Sequence, residues 1–536
     1  MNGAQSLFRA LTDAGLDTCF ANPGTSEMQL VYEMGKSDAV RPVLCLQENV
    51  VTGAADGYAR MAGKPAFTLL HVGSGFANGI ANLHNAGRAS SPIVNIVGAN
   101  ATYHQPNFPE HEMIGGRIID LARVISHWAR EARSAAELAP LGAEAAAVAR
   151  MGAGRICTLV APTNCHWDPA PHAPVIGAPI PTPRVAEQAI AAVAQLLGNG
   201  KKTALLLGAQ ALRNEGLELA GRICARTGAQ PMGETFPSRL ARGEGRVQIQ
   251  LVPYLPEMAQ PFFAQYEQIV LVGALAPVST FAYQGAVMQK IPPQCEVATL
   301  ASTDQDVLAA LEDLARAVKA KRQVTARQER IAPKRPRGEL TPAAIGQSVS
   351  LLLPEDAILV DESATAGFDM YAQTAGARRH DYIYAVPGAA IGNGLPVALG
   401  AAIACPQRKV VALQADGSGM YTNQALWSIA REKCDIAIVI LKNDEYAILN
   451  VELARVREGE ATPRMQSMLD IDKPSIDWVS LARGMGVPAV AVTSAEDFHS
   501  EFRKALARKG PRLIEATMAQ DLQPYVDLVM QMRQAK

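Results

Sequence analysis

The chain has 536 residues, too many for one hydrophobic core and enough for about three domains. Its 50 basic and 51 acidic residues nearly cancel, so it carries no basic footprint for nucleic acid. No apolar run reaches the ~18 residues of a membrane span, and the start, MNGAQSLFRALTDAG, lacks a signal peptide's basic region and apolar core, which makes the cytoplasm the expected compartment.

Leu7 and Leu11 at helical spacing, followed by Gly15, predict an opening helix with a glycine stop. Thr18 to Ala21 reads as a strand, Asn22-Pro23-Gly24-Thr25-Ser26-Glu27 as a turn into another helix, and Val43 to Leu46 as a strand that delivers Glu48. Gly53, Ala54, Ala55 and Gly57 then give a small-residue face that a second backbone can approach, and Gly63 and Pro65 end that helix. A strand over Ala66 to Val72 carries His71 near its end. The glycine turn Gly73-Ser74-Gly75, a helix through Arg88 and a strand over Pro92 to Val97 follow. This alternation predicts a doubly wound α/β domain over residues 1 to about 165. On local grounds alone, Glu48 complements a helix dipole and His71 is structural.

Prolines crowd the segment from Pro162 to Pro183, as in an extended linker. Strands over Thr203 to Gly208 and Gln268 to Gly273, with a helix over Leu217 to Thr227, predict a second α/β domain over 186–316. Its LLLGAQA loop is an isolated glycine turn, too unspecific to support a nucleotide, and FAD is not expected. Residues 319–337 are rich in Lys, Arg and Pro and read as a solvated linker. The eight cysteines show no C-x-x-C spacing and read as reduced apolar residues.

A third domain, 340–536, opens with Thr341-Pro342, an N-cap followed by proline at N1. A strand over Ala357 to Asp361 leads to Glu362-Ser363-Ala364-Thr365, and Gly388 to Leu395 is a glycine-rich turn into a helix. Apolar runs at Val410 to Leu413 and Ile436 to Leu441 flank a helical segment, Asn423 to Arg431, and form a βαβ unit with parallel strands. Asp416 and Asn443 then share one rim, where open α/β sheets bind ligands. Two oxygen donors there suit Mg2+, and the amides of Gly417 and Ser418 suit a diphosphate. Each residue alone reads equally as an ordinary turn or strand end.

The Asp416 block resembles the thiamine-diphosphate (ThDP) motif, with Ala415 in place of the motif's first glycine. The segments NPGTSE (22–27), QENVVTGAADGYA (47–59) and LHVGSGFANGIANLHNA (70–86) are similar to benzoylformate decarboxylases, and acetolactate synthases are broader relatives. The resemblance implies three doubly wound parallel-sheet domains, with Mg2+ held by Asp416, Asn443 and the carbonyl of Glu445. It places Ala364, Thr365, Gly388, Gly417, Ser418 and Tyr446 around the cofactor, and Ile391 as the aliphatic side chain that bends it. Glu48 would activate the aminopyrimidine ring, His71 would move a proton, and Thr25 would meet the substrate carboxylate. Tyr283 is the candidate replacement for a second active-site histidine that has no counterpart here.

Because Glu48 and Asp416 belong to different domains, the family's sites between subunits imply a homodimer or homotetramer. The expected activity is cleavage or formation of the bond beside a 2-oxo group, as a 2-oxo-acid decarboxylase or as an acetolactate-synthase-type carboligase; a ThDP-binding regulatory protein without turnover is the alternative of another class. The aliphatic segment Tyr446 to Val451 implies a 2-oxo acid or aldehyde with an uncharged side chain.

Overall fold

A computed structural model describes the chain except residues 108–109, 172–179, 281, 283–287, 458 and 535–536. Tyr283 and the middle of the proline-rich segment lie outside the described residues. Three sheets form. The first has six parallel strands in the order Arg41–Leu44, Thr18–Asn22, Ala66–Leu70, Ile93–Ala99, Ile156–Pro162, Trp128–Glu131. Its central strands are buried along their length, which is why they read as continuous apolar runs. The second has five parallel strands, in the order Gln250–Leu251, Gln230–Gly233, Thr203–Leu207, Gln268–Val272, Glu296–Ala301.

The third sheet runs Ala489–Val492, Arg512–Thr517, Ile436–Lys442, Val410–Ala415, Ala357–Glu362, His380–Tyr384, all parallel. It ends on an antiparallel strand, Leu240–Arg242, lent by the middle of the chain. The expected 186–316 domain therefore gives up a strand to its neighbour. Arg242 holds it there, stacking 3.7 Å over Tyr371 and donating to Thr374 Oγ1 at 2.6 Å, and the edge of His380–Tyr384 is covered.

One further expectation changes. The strand through His71 stops at Leu70, and Val72, at φ 40°, opens a helix over Val72–Asn78. Gly73 and Gly75 thus serve close approach rather than a turn: a Cβ on Gly75 would lie 3.0 Å from Glu48 Oε1. The linker 319–337 is largely exposed, as a solvated linker should be, but it is also tied down. Arg327 pairs with Glu218 at 2.6 Å and Arg330 donates to the carbonyls of Gly376 and Ser350, so the segment straps the second and third domains together.

The first and third domains meet through helices Glu48–Ala62 and Gly394–Ala404. The small-residue face expected near Gly53 is used there: a Cβ on Gly57 would fall 2.1 Å from the Val397 carbonyl, and one on Gly400 1.9 Å from the Ala54 carbonyl. Fully buried Asp56 pins this contact. It accepts from Arg60 Nε at 2.7 Å, Ser91 Oγ at 2.5 Å and Asn393 Nδ2 at 3.1 Å, and Arg60 donates onward to the Tyr384 carbonyl at 2.8 Å.

Candidate active site

Strands Val410–Ala415 and Ile436–Lys442 pair with Ala415 opposite Leu441, so both leave the sheet on one rim. Asp416, only 1 % exposed, begins a short helix there. Its Oδ2 accepts from the amides of Asp444 at 2.8 Å and Asn443 at 3.2 Å, and its Oδ1 from Gly417 at 2.8 Å. Burial pushes the carboxyl above the usual carboxylate range, against the pull of these three amides. Ala415 has φ −67° and ψ 145°, ordinary extended backbone, so its methyl group costs nothing where the motif has glycine. Gly417 cannot take one: a Cβ would sit 2.6 Å from the Tyr446 ring.

One cavity gathers Ala364, Thr365, Ile391, Gly417, Ser418 and Tyr446 with Asp416, Asn443 and Glu445. Gln520, which nothing in its sequence context marks, ties two of its loops by accepting from Thr365 Oγ1 at 3.2 Å and Asn443 Nδ2 at 3.3 Å. The Ser418 hydroxyl is turned inward, accepting from Gln414 at 2.6 Å, which leaves the helix-start backbone rather than the hydroxyl to face a ligand. Buried Glu362 accepts from the amides of Gly392, at 2.5 Å, and Gly394, and so brackets Ile391. Glu362 was visible in the sequence, but its role was not. Gly388 is not brought to this cavity. It lies against the first domain, its amide donating to Asn85 at 3.1 Å and its carbonyl accepting from His84 at 3.1 Å.

Glu48, His71 and Thr25 form a separate group on the first sheet's rim. Gln47 caps the helix that Glu48 opens, accepting from the amides of Asn49 and Val50. The Glu48 carboxylate, 7 % exposed, accepts from Asn22 Nδ2 at 3.0 Å and Asn78 Nδ2 at 3.2 Å. His71 is the N-cap residue of Val72–Asn78, and its Nδ1 lies 2.7 Å from Oε2 of the fully buried Glu27. Glu27 also accepts from the Gly24 amide at 2.9 Å, and its other oxygen fits only because Gly98 has no side chain, a Cβ there falling 1.6 Å away. The His111 ring stands edge-on to His71 at 5.3 Å. Thr25, exposed, opens the turn Thr25–Glu27. Sequence reasoning missed Glu27 and His111; the signal for Glu27 was its place closing the NPGTSE turn.

Residues 1–121 match the N-terminal TPP-binding domain of thiamine pyrophosphate enzymes, and residues 368–516 match the C-terminal TPP-binding domain. Over 522 residues, 97 % of this chain and 99 % of the relative, the chain is 43 % identical to IlvX of Mycobacterium tuberculosis, whose name assigns it provisionally to the acetolactate synthase large subunits. The chain belongs to the thiamine pyrophosphate enzyme family. Within this ThDP family it is 27 % identical to benzoylformate decarboxylase of Pseudomonas aeruginosa over 95 % of its own length and 97 % of that protein's. It superposes on a Rhodococcus jostii ThDP-dependent 4-hydroxybenzoylformate decarboxylase with a TM-score of 0.82 at 26 % identity, covering 97 % of this chain and 100 % of that one.

The residues fit what a ThDP enzyme has to hold. Asp416 could supply a carboxylate, Asn443 an amide oxygen and Glu445 a backbone carbonyl, all three lining one cavity at the start of the Asp416 helix. Among the described residues no group of three His, Cys, Asp or Glu side chains is placed to hold a metal. Mg2+ usually takes only one or two protein carboxylates and completes its shell from phosphate oxygens and water, which is compatible with this rim. Among the described residues no helix is long and apolar enough to cross a membrane.

Proposed function

We propose that the protein is a ThDP- and Mg2+-dependent 2-oxo-acid decarboxylase. When bound, ThDP supplies the electron sink for cleavage beside the 2-oxo group. Asp416, Asn443 and the Glu445 carbonyl would hold Mg2+ and with it the diphosphate, and Ile391, set by Glu362, would support the bend between the cofactor's rings. Glu48, held by two neutral amides, would exchange a proton with the aminopyrimidine ring.

The observation that carries the decarboxylase reading is the His71–Glu27 pair. Loss of CO2 leaves a carbon that must be protonated. A His71 that donates its Nδ1–H to Glu27 keeps Nε2 as the ring nitrogen that would take up a proton and, as imidazolium, pass it to that carbon. In one chain, no described residue of 1–165 lines the cavity around Asp416, so Glu48 and His71 would come from a second copy, giving a homodimer or homotetramer with sites between subunits.

The 43 % identity to IlvX favours a second reading, a carboligase that joins two 2-oxo acids. A product-resolved assay of the purified protein with ThDP and Mg2+ separates the two: aldehyde and CO2 support the first reading, and a 2-hydroxy-2-acyl acid the second. ThDP binding with no 2-oxo-acid consumption contradicts both.

A further inference from the structure

A second cavity, of about 340 Å3, lies between residues 235–258 and the strand ends of the third sheet. Its size falls in the ~300–1,000 Å3 range of small-molecule sites. Only 5 % of the chain is Phe, Trp or Tyr, yet seven of the 17 described residues in this lining are aromatic. Phe236 stacks on Tyr384 at 4.5 Å, Tyr254 joins Phe236 to Phe368, and Tyr371 meets Tyr382 edge-on at 5.2 Å.

Among the described residues that form the lining, Asp361 is the only charged side chain, and none is Lys, Arg or His. The carboxylate is 3 % exposed. It accepts from the Ser363 amide at 2.9 Å, the Ser363 hydroxyl, and Tyr382 OH at 2.7 Å, which uses three of its roughly four lone-pair positions. Gly367 packs closely here, since a Cβ on it would fall 2.7 Å from Ser363 Oγ and 3.6 Å from Asp361 Oδ2. Arg242, stacked over Tyr371 from outside the cavity, shows that a ring of this cluster already receives a cation.

From this we infer that the cavity binds a small organic cation, a quaternary ammonium or protonated amine, at a site distinct from the cofactor's. Aromatic faces attract such a cation through their quadrupole, and a buried carboxylate neutralises it. A 2-oxo acid would instead set its carboxylate against Asp361 with no cation to offset it. The two cavities share the wall Ser363–Ala364, so the ligand would sit directly behind the loop that faces the diphosphate.

The test is ligand-observed NMR on the full-length protein loaded with ThDP and Mg2+, titrated with phenyltrimethylammonium and with its neutral isostere tert-butylbenzene. The cation should bind about tenfold or more tighter than the isostere, and Phe236→Leu and Tyr254→Leu should each weaken it by about threefold to tenfold. Asp361→Asn should weaken it further, but that change also loosens the Ser363 turn, so the two ring variants decide. Equal binding of the isostere, no binding of the cation, or binding that Phe236→Leu and Tyr254→Leu leave intact would overturn the proposal.

Discussion

His71 Nδ1 faces Glu27 Oε2 at 2.7 Å, and Glu27 is fully buried. A carboxylate can only accept, so it fixes the imidazole with hydrogen on Nδ1 and a free Nε2. Glu27→Gln would keep an oxygen for the Gly24 amide and His71 Nδ1–H but remove the negative charge that favours a protonated imidazole. Decarboxylation kcat should then fall by about 10- to 100-fold, as for other residues that orient a working histidine. His71→Ala should cost more, about 10²–10⁴-fold. Steady-state kinetics with a ThDP-induced melting shift as control checks both, and an unchanged kcat in either variant would remove the pair from the proton path.

Asp416→Ala should abolish the rise in melting temperature that ThDP and Mg2+ produce together. Ligand at ~100 times its Kd stabilises the native state by about 2.7 kcal/mol, and that gain disappears with the anchor. A melting shift as large as that of the unaltered protein would place the anchor elsewhere.

The contact between the first and third domains leaves no room at Gly400, where a Cβ would meet the Ala54 carbonyl at 1.9 Å and the Tyr58 amide nitrogen at 2.5 Å. Both are helix backbone atoms and cannot swing aside. Gly400→Ala should therefore destabilise the chain by about 1–3 kcal/mol, the usual cost of overpacking. Urea unfolding measures it, and a midpoint equal to the parent's would show that the helices can move apart freely.

Much of this architecture was legible because parallel strands buried on both faces must be apolar throughout, and runs such as Ile436 to Leu441 could be little else. The rim pair Asp416 and Asn443 followed from topology alone, and Thr341 caps its helix by accepting from the Ala344 amide as its Thr-Pro context predicts. What stayed hidden depends on contacts between residues distant in sequence. Leu240–Arg242 joins a foreign sheet through Arg242, Gly388 is drawn away from the Asp416 cavity by Asn85, and Glu362 and Gln520 act through partners that only the fold brings close. Val72 misled for a local reason: a valine at φ 40° is a rare helix start that no propensity anticipates.

The segment Tyr446 to Val451, proposed as part of the substrate wall, offers aliphatic side chains and no Lys or Arg. A pocket of this kind separates substrates by only about 1–3 kcal/mol per methylene, so several uncharged 2-oxo acids should react at graded rates. Comparing kcat/KM for pyruvate, 2-oxoisovalerate, benzoylformate and 2-oxoglutarate tests the point, and preference for the dicarboxylate would contradict it.

The central claim is that Glu48 of one copy and Asp416 of another complete a single site. Glu48→Gln should retain cofactor but lose cofactor proton exchange, Asp416→Ala should lose cofactor, and each variant alone should be inactive. Co-refolding the two in equal amounts gives mixed dimers in which one site combines an intact Glu48 with an intact Asp416, so activity should return to roughly a quarter of the parent's if chains pair at random. No recovery, with mixed dimers verified by mass, would mean that the two carboxylates do not meet across a subunit interface.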